Sequence, residues 1–81
     1  MTNEERELKL QRLAEQQFEL KKEIERGDEH AIKCVKKGLI YSEEYPDEYA
    51  NYLLAVTQYN DNQQEIEHLQ TIIIEDHNNV E

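Results

Sequence analysis

This chain has almost nothing with which to punctuate or staple itself: its 81 residues include two glycines, one proline, one cysteine and no tryptophan. A single cysteine, Cys34, closes no internal disulfide, and a lone thiol suits a reducing compartment, so a cytoplasmic location is expected. No apolar run reaches the roughly 18 residues of a membrane span. The opening Met1-Thr2-Asn3-Glu4-Glu5 lacks the basic and then apolar stretches of a signal peptide, so neither membrane insertion nor secretion is expected. Two isolated glycines supply neither a phosphate-cradling loop nor the sharp turn that raises a serine nucleophile. No enzymatic activity, cofactor or small-molecule substrate is expected.

Apolar material is short as well. Leu, Ile, Val and Phe make up 19 of the 81 residues, just above the roughly one-fifth below which a highly charged chain stays disordered. Chains of this length bury only about 60% of the surface they expose when unfolded, so a single core needs a supplement. With no disulfide to supply it, self-association is the expected one.

Basic residues are missing from more than half the chain. Residues 1–37 carry nine acids and nine bases, whereas residues 38–81 carry ten acids and no Lys or Arg, so the whole net charge of −10 lies in the second part. Such a field repels nucleic acid and anionic lipid and favours encounters with basic proteins, which excludes direct nucleic-acid binding as the expected function.

What is present is helical periodicity. Thr2 and Glu5 have capping-box spacing, and Leu10, Leu13, Gln17, Leu20 and Ile24 follow gaps of 3 and 4, predicting a helix over about 3–26 that Gly27 ends. Glu5 to Lys9 and Lys21 to Glu25 have the i,i+4 spacing of helical ion pairs. Asp28 and Glu29 at one end and Lys33, Lys36 and Lys37 at the other predict a short second helix over 29–37, stopped by Gly38. Pro46 followed by Asp47 and Glu48 opens a third, over about 46–75, with Tyr49, Tyr52, Val56, Tyr59, Gln63, Ile66, Gln70 and Ile73 on one stripe. Asn60-Asp61-Asn62 is its soft place, where a bend or break would fall, and residues 77–81 are expected to fray as an acidic tail beyond a single domain of residues 1–76. Leu39-Ile40-Tyr41 and Ile72-Ile73-Ile74 could pair as strands, but an isolated pair is marginally stable and the helical reading is preferred.

The expected fold is therefore all-α: an antiparallel helical hairpin with a short connecting helix, dimerising into a four-helix bundle. Leu10, Leu13, Gln17, Leu20, Ile24, Tyr52, Val56, Tyr59, Gln63, Ile66 and Ile73 form its seam, with the glutamines setting register.

Three constellations invite chemistry. Glu65 and His68 have the Glu-x-x-His spacing of ferritin-like di-iron bundles, but helical phase sets them away from Val56, Tyr59 and Ile66, toward water. His30 and Cys34 have the reach of two zinc ligands without a second pair nearby, so Cys34 reads as a small buried hydrophobe and no metal site is expected. Glu4 to Glu7 with Glu25 to Asp28 superficially resembles the paired acidic motifs of all-α nucleotide pyrophosphohydrolases, with the second pair straddling an expected helix end.

The tyrosines are more informative. Tyr45, Tyr49, Tyr52 and Tyr59 cluster on one side of a helical wheel, and Glu43, Glu44, Asp47 and Glu48 surround the first two, which makes Tyr45, Tyr49 and those four carboxylates the candidate partner-binding residues. The expected function is a non-enzymatic adaptor, regulator or inhibitor that dimerises and contacts a basic partner protein. The alternatives are a nucleic-acid mimic of the kind viral inhibitors use, its carboxylates standing in for phosphates on a DNA- or RNA-binding host protein, and a carboxylate/His metal-binding bundle.

Overall fold

A computed structural model describes the backbone of residues 2–79 and the side-chain surroundings of residues 2–75. It holds α1 (Asn3–Lys36), α2 (Tyr41–Glu44) and α3 (Pro46–Asn79), with no strand among the described residues. Contacts between α1 and α3 pair rising numbers with falling ones, from Lys9 with Glu65 through Gln17 with Tyr59 to His30 with Glu48, so the two long helices are antiparallel. The result is the expected hairpin, a rod of 61 × 16 × 14 Å. No helix among the described residues is long and apolar enough to cross a membrane.

The Thr2 hydroxyl accepts the Glu5 backbone N–H at 3.2 Å and starts α1 where the capping spacing placed it. The helix does not stop at Gly27, so the expected helices over 3–26 and 29–37 are one. Past Ile24 the gaps of 3 and 4 continue through Gly27, Ala31 and Cys34, and Gly27 is buried where the Tyr52 ring crosses it. A Cβ there would overlap that ring. Gly27 therefore serves close approach between helices, which offsets the roughly 1 kcal/mol that a mid-helix glycine costs relative to alanine. The true stop is Gly38, at φ 72°, with the Gly38 N–H bonded to Val35 O at 3.0 Å and the Leu39 N–H to Cys34 O at 2.8 Å. Those two bonds form a Schellman motif. Tyr41, left between the expected helices, opens the short α2, and Ile72, Ile73 and Ile74 lie in α3, so the disfavoured strand pairing does not occur.

α3 passes through Asn60-Asp61-Asn62 without a break. Its fully buried positions are Ala55, Asn62 and Leu69, which alternate with half-buried Tyr52, Tyr59, Ile66 and Ile73, so the seam takes Ala55, Asn62 and Leu69 where Val56, Gln63 and Gln70 were expected. Gln63 and Gln70 are exposed and Val56 only half-buried. Both choices keep gaps of 3 and 4 around Tyr52, Tyr59, Ile66 and Ile73. Ala55 leaves room for the flanking rings, and Leu69 buries more apolar surface than Gln70 could. Asn62 is tolerated because its side-chain amide donates to Gln16 Oε1 at 3.2 Å. Gln17, beside it, donates to Tyr59 O at 2.9 Å and to Gln63 Oε1 at 3.4 Å, while its own Oε1 is buried without a partner, a cost of about 1 to 3 kcal/mol. This polar layer pins the register at mid-rod. α3 stays helical to Asn79, three residues into the stretch expected to fray; Val80 and Glu81 lie outside the described residues.

The buried hydrophobic residues, among those described, are Leu13, Cys34, Ala55 and Leu69, against nine large apolar side chains left exposed. The hairpin is held by one thin seam.

Candidate functional site

The hinge end gathers four of the five tyrosines. α2 turns the chain so that Tyr41 and Tyr45 come over His30 of α1, with ring centroids 5.1 and 4.4 Å from the imidazole. Tyr49 and Tyr52, from the first turns of α3, sit 5.7 and 6.4 Å from Tyr41. Tilted and edge-on rings at these spacings are the favourable arrangement for aromatic quadrupoles. Two polar contacts lock the cluster across the helices: the Tyr52 hydroxyl donates to Asp28 Oδ1 at 2.6 Å, and His30 Nδ1 lies 2.6 Å from Glu48 Oε2. Burial pushes the Tyr41 hydroxyl pKa above the ordinary tyrosine value, with Glu48 and then Cys34 adding to it. The hydrogen bond to Asp28 raises that of Tyr52, with burial and the Asp28 charge behind it. Below the cluster, Glu23, Arg26, Gly27, His30, Tyr41, Glu48, Asn51 and Tyr52 line a half-open cleft of about 300 Å³.

Of the candidate partner-binding residues, Tyr45 and Tyr49 do share this end with Glu43, Glu44, Asp47 and Glu48. Glu43, Glu44 and Asp47 are exposed, and among the described residues none of the three is in an ion pair, whereas Glu48 is held by His30. Tyr59 does not belong with the other rings; it lies at mid-rod beside Gln17. Tyr41 takes its place. The spacing Tyr41, Tyr45, Tyr49, Tyr52 carries that signal, but it is visible only once α2 is known to be helical. His30 was weighed as a zinc ligand and turns out to be the centre of the ring cluster.

The remaining constellations are placed as follows. Cys34 is buried at 2% exposure, as a small hydrophobe would be. Glu65 is not on the far side of α3: the shifted seam brings it to Lys9, 2.5 Å away across the hairpin, while His68 is exposed. Lys9 thus serves the opposite helix rather than Glu5, and local pairs on α1 include Lys22 with Glu19 and Arg26 with Glu23. No group of three or more His, Cys, Asp and Glu among the described residues is placed to hold a metal ion. Continuity of α1 removes the helix-end objection to Glu25 and Asp28. It also puts both acidic pairs on one helix, about 30 Å apart at 1.5 Å per residue, too far to share an ion.

Outside the seam the hairpin has two unlike flanks. Each residue just before a seam position lies on one flank and each just after it on the other. In an antiparallel pair, the before-positions of both helices meet, as Lys9 and Glu65 show. That flank is charged: Lys9, Arg12, Glu19, Glu23, Arg26 and Lys33 from α1, with Asp61 and Glu65 from α3, line it, and Arg12, Gln16 and Glu19 share a groove with Gln58. The after-positions include Ala14, Phe18, Ile32 and Val35 on α1 and Leu53, Val56 and Ile74 on α3, interleaved with the charged Lys21, Glu25, Asp28 and Glu67 and with Gln11, Asn60, Gln63 and Gln70. Phe18 is 61% exposed, with Lys22 Nζ 4.3 Å from its ring centre, and Val35 is 75% exposed.

No family of proteins, no curated protein and no solved structure matches this chain. Its class is set by fold alone: an all-α antiparallel hairpin.

Proposed function

We propose that the protein works by contact: an acidic helical hairpin that self-associates into a four-helix bundle and engages a basic partner protein at its tyrosine-bearing hinge. One observation carries this reading. Glu43, Glu44 and Asp47 stand exposed beside the ring cluster and, among the described residues, are in no ion pair, although Lys33, Lys36 and Lys37 end α1 at the same hinge. Carboxylates around tyrosines give a basic surface both charge attraction and a large amphipathic contact. The predominance of exposed over buried large apolar side chains supports the self-association.

The test is titration with a Lys/Arg-rich peptide of fixed sequence. The combined substitution Glu43→Gln, Glu44→Gln, Asp47→Asn is expected to weaken binding about tenfold at low salt and to flatten its salt dependence. Tyr45→Ala should weaken it at every salt concentration. Equal binding by the wild-type and neutralised chains would sink the reading. The acid-only stretch after Lys37 supports a second reading, nucleic-acid mimicry, which requires a DNA duplex to compete for the same partner.

A further inference from the structure

We infer that the apolar flank is the self-association surface and that a second copy of this chain occupies it, related by a two-fold axis. This rests on the self-association proposed above and adds which side of the rod carries it. Phe18, Ile32, Val35, Leu53 and Ile74 lie on that flank at after-seam positions and are 45 to 75% exposed. Leu54 is the large apolar residue exposed on the charged flank, at 68%.

Size favours a second copy as the occupant. A face 61 Å long and about 14 Å wide offers on the order of 850 Å² per copy, close to the roughly 800 Å² per partner of a stable interface. The charges on the flank are Lys21, Glu25, Asp28 and Glu67, and in an isologous contact Lys21 of one copy can offset a carboxylate of the other. A basic partner, in contrast, is drawn to the unpaired acids of the hinge. The surface left outward after such pairing is the charged flank, which suits water.

Light scattering after size exclusion, over a range of loading concentrations, is the test. The wild-type chain is expected at twice its 9.7 kDa mass. Phe18→Glu and Val35→Glu are each expected to raise the dissociation constant about 100-fold or more, and Leu54→Glu to leave it unchanged. Circular dichroism reports whether each variant stays helical. Should the first two unfold, thiol reactivity decides instead: in a Cys34→Ala background, Ala14→Cys is expected to be protected at high concentration and released on dilution, and Leu54→Cys to be open throughout. A dimer lost through Leu54→Glu but kept in Phe18→Glu and Val35→Glu would overturn the assignment of the face and leave self-association standing. A chain that is single at all concentrations would overturn both. So would one that stays single while Phe18→Glu abolishes peptide binding, which would assign the face to a different partner. Peptide binding at the hinge is scored separately and fails or survives on its own.

Discussion

The two flanks of this hairpin are built from the same helices and differ by a step of one residue on either side of the seam. On α1 the residues before the seam are polar or charged at every turn from Lys9 to Lys33, whereas those after it include Ala14, Phe18, Ile32 and Val35. A helix advances about 100° per residue, so neighbours in sequence are delivered to opposite sides of the rod. A chain with 37% apolar residues can therefore gather five of the nine exposed large apolar side chains among its described residues on one flank, where they alternate with Lys21, Glu25, Asp28 and Glu67. One flank and the hinge carry charge; the other carries most of the exposed apolar area.

The sharpest way to break that comparison is to move the same substitution between the seam and a flank. Leu69→Ala removes a side chain that is 5% exposed and is expected to lower stability by about 2 to 5 kcal/mol, whereas Leu54→Ala, one face away, should change it by less than about 0.5 kcal/mol. Urea melts of the two variants check this. Similar losses would mean that the charged flank is buried in the working protein.

A smaller effect is expected at the helix crossing. Alanine normally stabilises a helix relative to glycine, but Gly27→Ala forces the Tyr52 ring to shift, so a loss of about 1 to 3 kcal/mol is expected instead. In a Tyr52→Leu background the sign should reverse, because the obstructing ring is gone. A stabilising Gly27→Ala in the wild-type chain would place the hinge of α1 and α3 farther apart than described.

The smallest effect is alkaline. The hydroxyls of Tyr41 and Tyr52 have pKa values above the 10.0 of a free tyrosine, so the folded state favours their neutral forms. The stability this contributes is complete below pH 10 and is lost as pH rises through the higher folded values. Thermal melts across that window, read beside tyrosinate absorbance, should show a decline that Tyr52→Phe reduces, since that variant has no hydroxyl to ionise. A decline of equal size in Tyr52→Phe would shift the cause away from the hinge.

Much of this was legible in the residues. The Thr2 cap, the Gly38 stop, Pro46 at the head of α3 and the stripe through Leu10, Leu13, Gln17, Leu20 and Ile24 are local signals, each read over a few neighbours. So was the placement of Tyr45 and Tyr49 among carboxylates. Tyr41 and His30 were not legible as a pair, because α2 brings them together across a turn that has no strong helix signal of its own.

The sequence by itself settled that the chain is helical, where its first helix begins, and that all net charge lies beyond residue 37. Only the tertiary structure decided that Gly27 is a crossing point rather than an end, and that Asn62 and Leu69, not Gln63 and Gln70, face α1. The reason is that caps and periodicity are properties of one helix. A 3,4 stripe can be continued equally well to either side, and a glycine fits a helix end or a close approach equally well. The choice falls to whichever arrangement lets the opposing helix fill the space, as Tyr52 does over Gly27 and Gln16 does for Asn62.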